Sequence, residues 1–255
     1  MSGPAQIVSL YRYPVKGLSG EKLKHVSLGI GETFPADRSF AIENGPSGFD
    51  PAAPSWQPKI KFLCLMRNAK LAALETNYDD ASGTLSVIKD GVPMVEASLK
   101  SEAGRAAIEH FFHDFMGREA RGPLKVLESP GHSFSDVSAK VAHVVNLATV
   151  RDLAASVGQD IHPLRFRANI YLDGWAPWSE FSLIGKTVRA GGVDLKITKK
   201  VVRCAATEVN PESAERDINV PEAIFRKTGE SDLGVYARVV TAGKIAAGDS
   251  VEMLD

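Results

Sequence analysis

Cys204 lies in the run Lys-Val-Val-Arg-Cys-Ala-Ala-Thr-Glu-Val-Asn-Pro over residues 200–211, and its type and setting bear most directly on chemistry. A cysteine thiolate is a soft nucleophile and a soft metal ligand, and a neighbouring cation favours its formation. Here Arg203 is adjacent, a strand-like Val-Val pair precedes it, and a polar turn ending at Pro211 follows. The commoner fate of a free cysteine is burial as a small apolar residue. Cys64 fits that fate, because it lies in the unbroken apolar run Phe-Leu-Cys-Leu-Met over residues 62–66 with no adjacent charge. Two cysteines in 255 residues exclude a disulfide scaffold.

Basic and small polar residues recur where strands end. Lys16 and Gly17 follow a Tyr-Pro-Val run, where a strand enters a turn, and Arg38 follows Asp37 just ahead of an apolar strand. Arg165, Arg167 and Asn169 alternate through one predicted strand, so period-two geometry places all three on one face. Such a face meets either a polar ligand or solvent, and both readings stand. Asp136, Val137 and Ser138 form a loop that offers backbone N–H groups and a hydroxyl, a pattern suited to anions. On a regular strand Arg203 and Cys204 face opposite sides, so a ligand touched by both requires a bulge or turn. The chain has no Walker loop, no Gly-x-Gly-x-x-Gly turn and no histidine pair at zinc spacing. Nor does it have the Cys-x4-Cys-x2-Cys spacing of a plant-type iron–sulfur cluster.

Such residues need strand ends to bring them together, and the chain supplies short strand-like runs punctuated by glycine and proline. Residues 7–13 alternate until Pro14, which limits the run to an end or edge. Strands are predicted at 39–42, 61–67 and 84–88, after which Asp90-Gly91 gives a hairpin turn. Ala103, Ala107, Ile108, Phe111, Phe112 and Phe115 recur at helical spacing, with Ser101 as a start and Gly117 as a stop. Residues 117–140, rich in Gly, Pro and Ser, read as a crossing loop between two domains, 1–120 and 121–255. A strand at 141–147 and a short helix at 149–157 closed by Gly158 come next. Strands follow at 166–172, 187–189, 193–197, 235–240 and 249–253, and residues 211–232 read as a loop with at least one helical turn. Many short strands with regularly spaced turns favour a barrel over a parallel sheet.

Composition is ordinary for a soluble globular protein, with 44% hydrophobic and 24% charged residues. A formal charge of -1 gives no global field for nucleic acid or an anionic membrane, so neither is an expected partner. No apolar run approaches the ~20 residues that span a bilayer. The start, Met-Ser-Gly-Pro-Ala-Gln, lacks the pattern of a signal peptide, and the expected location is cytoplasmic.

Together these segments resemble the MOSC family, named for the C-terminal domain of molybdenum cofactor sulfurase, in the form with an extra N-terminal β-barrel domain. Leu-Tyr-Arg-Tyr-Pro-Val-Lys-Gly at 10–17 is similar to the family's opening signature, and Asp37-Arg38 to its Asp-Arg element. Phe-Ser-Asp-Val-Ser at 134–138 resembles the Ser-Asp loop. Arg-Phe-Arg-Ala-Asn at 165–169 resembles the Phe-Arg-x-Asn strand, and Val-Arg-Cys at 202–204 the Arg-Cys motif. Residues 243–249 resemble the closing strand pair. The fold implied is α+β and predominantly β: a MOSC β-barrel preceded by a smaller N-terminal β-barrel-like domain with one helix.

In the mitochondrial amidoxime-reducing components, the best-understood of the relatives that the chain resembles, these positions hold a molybdenum-molybdopterin cofactor. Carried over, the resemblance makes Cys204 the thiolate on molybdenum and the catalytic residue. Lys16, Arg38 and Arg167 would meet phosphate and pterin oxygens, a task suited to guanidinium forks and lysine charge. Asn169 would bond the cofactor's polar edge, with Asp136, Ser138 and Arg203 also in contact, and Gly17, Val137 and Val202 would offer backbone groups alone. The activity implied is reduction of N-hydroxylated small molecules, with electrons from a separate donor protein or reductase. The other reading is a sulfur carrier with a Cys204 persulfide, and a third is cofactor storage without turnover. Either cofactor reading expects Lys16, Arg38, Arg167 and Asn169 to line one cleft with Cys204, where the two domains meet.

Overall fold

Alternation of apolar and polar residues produces strands wherever one face is buried and the other wetted. The computed structural model describes residues 4–254, and fifteen strands occur among them. The expectation about an export signal rests in part on residues 1–3, which with Asp255 lie outside the described residues. In chain order the first eight strands are β1 (Ala5–Arg12), β2 (Glu21–Leu23), β3 (His25–Leu28), β4 (Phe40–Asn44), β5 (Leu74–Asp79), β6 (Thr84–Lys89), β7 (Val92–Ser98) and β8 (Leu124–Glu128). The remainder are β9 (Ala142–Asn146), β10 (Ile170–Asp173), β11 (Thr187–Ala190), β12 (Val193–Val202), β13 (Asp232–Thr241), β14 (Gly243–Ala246) and β15 (Ser250–Met253). Three helices accompany them: α1 (Glu102–Met116), α2 (Leu147–Val157) and α3 (Val220–Thr228).

Seven strands close a barrel in the order β10-β9-β13-β12-β11-β15-β1, with β1 returning to β10 and β2 added beyond β1. Closure leaves those seven without an open edge. Val193, Leu195 and Ile197 of β12 and Val235, Ala237 and Val239 of β13 fill its interior, while Lys196, Thr198 and Arg238 face out. β9 and β10 pair in parallel, which demands a crossover, and α2 provides it. Asn146 caps α2 through Ala148 N, and Gly158 ends it in the left-handed region.

The predominantly β class and the barrel are as the sequence suggests. The division at residue 120 is crossed by β1, a stave of the barrel, and by β3, which pairs with β14. A second body combines the β4–β8 pair, the β5–β6–β7 meander and α1, with Leu71, Leu85, Val87, Ile108 and Phe112 in its core. Asp90-Gly91 makes the β6–β7 turn as expected, and Ser101 caps α1 through Gly104 N. No helix among the described residues is long and apolar enough to cross a membrane.

Three predicted segments differ. Residues 62–65 are buried, yet the run 61–67 forms no strand: a one-turn 3₁₀ segment (Lys59–Lys61) leads into a turn in which Arg67 N and Asn68 N both donate to Cys64 O. An apolar run reports burial, and burial alone does not select a strand. Residues 166–172 are a strand only from Ile170, because Pro163 starts a 3₁₀ turn (Pro163–Phe166) and Arg167 follows at φ 52°. The crossing loop at 117–140 contains β8, paired with β4 along its length.

A buried carboxylate braces α2. Glu180 is 1% exposed and accepts from Thr149 Oγ1 at 2.9 Å and Asn146 Nδ2 at 3.2 Å. Burial raises its carboxyl above the usual range, against opposing hydrogen bonds from its own backbone, Asn146 and Thr149. A raised acid binds its proton more tightly folded than unfolded, so its contribution weakens as pH rises from the ordinary carboxyl value through the folded one. Glu180→Gln removes that dependence. The melting temperature of the variant, relative to wild type, should rise between pH 4 and pH 8; an offset equal at both would contradict it.

Candidate functional site

Where the second body meets the ends of β9 and β12, a cleft of about 370 Å³ opens. That volume suits a small-molecule ligand. Its walls are stitched side by side by backbone hydrogen bonds: Lys16 N to Phe40 O, Arg38 N to Tyr13 O and Phe134 N to Arg38 O, each at 2.7–2.8 Å. Arg216 ties the far wall together, donating to Leu65 O, Met66 O and Ala205 O. The cleft brings together Lys16, Gly17, Arg38, Asp136 and Val137 with Arg167, Asn169, Val202, Arg203 and Cys204. Ser138 is exposed and does not line it.

Charge is the cleft's first property. Seven Lys and Arg side chains line it against two carboxylates, Asp37 and Asp136, in a chain whose net charge is only -1. Asp136 joins two of the cations, Lys16 Nζ and Lys59 Nζ, each at 2.7 Å. Burial pushes the Asp136 carboxyl up, but the two ammonium groups outweigh it and hold the group well below the carboxylate range. The loop thus acts through this side chain as well as through its backbone. Lys59 also reaches Cys204 Sγ at 3.3 Å. Burial opposes its charge, yet Asp136 and then Cys204 raise its ammonium above the usual lysine value.

A second group centres on Tyr13. The Arg38 and Arg167 guanidiniums lie 4.9 and 4.3 Å from its ring centroid, distances at which the ring's negative face attracts them. Arg38 is paired with Asp37 and donates to Arg167 O at 3.0 Å. Arg167 has no carboxylate partner among the described residues, and its buried Nη2 makes no hydrogen bond. Burial, and then the charge of Arg38, lower its guanidinium to about 10, so it remains cationic at neutral pH. Both arginines have left-handed backbones, φ 53° and 52°, a conformation rare outside glycine.

Arg203 is likewise incompletely satisfied. One amino group donates to Phe166 O at 2.9 Å and the other lies 3.3 Å from His143 Nε2, while Nε is buried without a partner. Burial, Arg203 and Arg38 hold His143 well below the usual imidazole value, so a neutral ring can accept from Arg203. Asn169 is 2% exposed and spends its carbonyl on His143 N and one N–H on Tyr11 O, leaving one donor.

β12 shifts register between Lys200 and Val202 and stops there, so Arg203 and Cys204 leave strand geometry and both line the cleft. Cys204 then opens a 3₁₀ turn (Ala205–Glu208), its carbonyl accepting from Thr207 N and Oγ1 at 3.0 and 2.9 Å. The alternation of Arg165, Arg167 and Asn169 on one face does not hold. Arg165 turns away to a bidentate pair with Asp217 at 2.6 and 2.7 Å, its side chain 1% exposed, and braces the 3₁₀ turn through Glu208 O. The 3₁₀ turn before Arg167 is the physical reason, since it breaks period two.

Lys59 and His143 carry no sequence signal as site residues, and Tyr13 lies in the 10–17 signature without being marked there as a contact. Lys59 lies 145 positions from the sulfur it touches, and Tyr13 and His143 read as strand residues. Cys64 is buried as expected, at 5% exposure, but it also borders the cleft, so both cysteines of the chain do so. Burial raises its thiol above the ordinary value. No group of three or more His, Cys, Asp or Glu among the described residues could hold a metal. A metal bound at Cys204 would therefore bring most of its ligands with it.

Comparison with known proteins accords with this layout. The family profile described as the MOSC domain matches residues 129–252, and that described as the MOSC N-terminal beta barrel domain matches residues 4–122. Among solved structures, the YuaD protein of Bacillus subtilis is 13% identical, with 99% of this chain and 97% of that one covered and a TM-score of 0.49. YiiM from Geobacillus stearothermophilus is 18% identical over 45% of this chain and 54% of its own, with a TM-score of 0.36. YiiM from Escherichia coli is 17% identical over 45% and 54%, with a TM-score of 0.31. No curated protein matches the chain.

Gly17 is where the site meets the core. Its φ is 85°, and a Cβ there would lie 2.8 Å from Leu63 O and 3.2 Å from Cys64 Cα. Gly17→Ala should cost at least ~1–2 kcal/mol from the left-handed backbone alone, read as a lower denaturation midpoint. An unchanged midpoint would show that the turn tolerates a side chain.

Proposed function

The chain belongs to the MOSC family, with the N-terminal MOSC β-barrel domain ahead of the MOSC domain, and from that premise we propose that its cleft binds a phosphate-bearing molybdopterin cofactor. In this reading the protein is a molybdenum-dependent reductase of N-hydroxylated compounds, with Cys204 as the protein's ligand to the metal. The observation that carries it is Arg167: a half-buried residue that stays charged, with a buried, unsatisfied Nη2 and no carboxylate partner among the described residues, bordering the same cleft as a thiol. Burying an unpaired cation is unfavourable, and an anionic ligand removes the penalty. The donor set fits. Arg38, Arg167 and Lys16 suit phosphate and ring oxygens, the free N–H of Asn169 suits a polar edge, and Cys204 is the soft donor molybdenum favours.

When bound, such a cofactor supplies the two-electron removal of oxygen from a nitrogen-bound hydroxyl. The balance is an N–OH group, two electrons and two protons yielding N–H and water. Lys59 holds positive charge against Cys204 Sγ, and Asp136 fixes Lys59 in place. Electrons come from a separate donor protein, and a reducing cytoplasm would keep both thiols free.

The sulfur-carrier reading has its own support in Cys64. A persulfide on Cys204 could be attacked by a second thiol bordering the same cleft, forming a Cys64–Cys204 disulfide and releasing hydrosulfide.

Protein expressed in a host that makes the cofactor should carry about one molybdenum per chain, read by elemental analysis, for the stoichiometry of a single-thiolate site. With dithionite as reductant it should convert N-hydroxylated compounds; Cys204→Ser should abolish turnover and Cys64→Ser retain it. Absence of molybdenum, with sulfur released by cyanide from wild type but not from Cys204→Ser, would replace the reductase with the carrier.

A further inference from the structure

Beside the cleft, the outer face of β12 and β13 carries cations without ion-pair partners among the described residues, although Lys199 lies over the Tyr236 ring. A shallow concavity of about 560 Å³ there is lined by Lys140, Lys199 and Arg238, and it shares Lys199, Ala139 and Val141 with the cleft. No carboxylate lines it among the described residues. Arg238 is the direct cross-strand partner of Lys196, and both are exposed. Like charges placed opposite each other in a sheet repel, so an isolated barrel gains nothing from this pair. Neighbouring cations are neutralised, Arg189 by Asp194 and Lys200 by Glu230. None of Lys140, Lys196, Lys199 and Arg238 has an ion-pair partner among the described residues.

Apolar contacts flank this charge. Ile30 is 64% exposed beside Gly31, which lines the concavity, and Val202 is 73% exposed at the cleft. The loop that carries Ile30 continues through Thr33 and Phe34 into the cleft wall. A basic surface with a few exposed apolar residues, next to a redox site, has the composition of a transient electron-transfer interface. The chain's net charge of -1 makes it a local device, one that orients a partner rather than attracting anions to the whole surface.

We infer that the face formed by Lys140, Lys196, Lys199 and Arg238 docks an acidic electron-transfer protein, which delivers electrons at the cleft mouth. The need for a donor rests on the reductase reading; the surface and its charge rest on the residues just named. Docking here places the partner over the rim of the cleft, at the Ala139, Val141 and Lys199 edge that the two share. Encounter should be fast at low ionic strength and slow steeply with added salt, because exposed charges beyond a Debye length are screened.

The test titrates three acidic electron-transfer proteins as probes, a [2Fe–2S] ferredoxin, a flavodoxin and a cytochrome b5, against the full chain at low and high salt. At least one should bind at low salt, and Lys196→Glu with Arg238→Glu should weaken it by about tenfold or more, as loss of complementary charge predicts. Lys196→Gln with Arg238→Gln, which adds no new repulsion across the sheet, should weaken it less, and Lys125→Glu on β8 should leave it unchanged. Dithionite-driven turnover should be the same in all these variants. Binding that ignores the charge reversal, or none with any probe, would overturn the inference. So would phosphatidylserine vesicles binding the wild type through the same two residues in preference to the proteins. Loss of dithionite turnover in the wild type sinks the reductase reading instead, and the binding titration still reports on the surface.

Discussion

Like charges repel, and a cleft lined by seven cations and two carboxylates must be held together by something else. The two carboxylates are placed where each neutralises most. Asp136 lies between Lys16 and Lys59, and Asp37 pairs with Arg38 while accepting from Tyr13 N at 2.9 Å. The Tyr13 ring takes the guanidiniums of Arg38 and Arg167 against its π-system, and main-chain carbonyls of Phe134, Phe166 and Arg167 absorb further N–H groups. After these arrangements Arg167 Nη2 and Arg203 Nε are still unsatisfied. The fold therefore holds a charge imbalance that an anion would complete, a common compromise between stability and function.

The barrel explains how distant residues are held to that task. β1 is a stave of the barrel, so the Lys16 turn at its end is anchored beside β10 and the residues 166–169 that precede it. The 38–40 segment is hydrogen-bonded to the 13–16 segment, which fixes Arg38 against Tyr13. Lys59 arrives from the second body, and Arg216 pins that body's 65–66 carbonyls to the turn after Cys204. Each charged group is set on a backbone that is itself hydrogen-bonded, and a preorganised site of this kind loses little entropy when its ligand arrives.

Much of this was legible in the sequence, and for definite reasons. Many short strands with regularly spaced turns pointed to the barrel, and Ser101 and Gly117 bracketed α1 because caps act locally. Lys16, Arg38, Arg167 and Cys204 were legible as strand-end residues of the right types. What escaped was anything decided by partners far along the chain. The 62–66 run reads as a strand because it is apolar, yet Asn68 Oδ1 accepting from Cys64 N helps to fold it as a turn. Arg165 looks equivalent to Arg167 in sequence, but Asp217 draws it to the opposite task. Lys59 has no local feature to separate it from Lys61, and only the fold brings it to Cys204.

The central claim is that Arg167 is retained at a cost to the empty protein because an anion completes it. Arg167→Met keeps the bulk of the side chain and the backbone carbonyl that Arg38 uses, while removing the charge. Thermal unfolding of wild type and variant, each without ligand and with pyrophosphate as a probe for a phosphate-bearing ligand, separates the two contributions. The account predicts that the variant without ligand melts at the same temperature as wild type or higher, and that pyrophosphate raises the wild-type melting temperature but not the variant's. A variant that melts lower without ligand, and responds to pyrophosphate as wild type does, would contradict it.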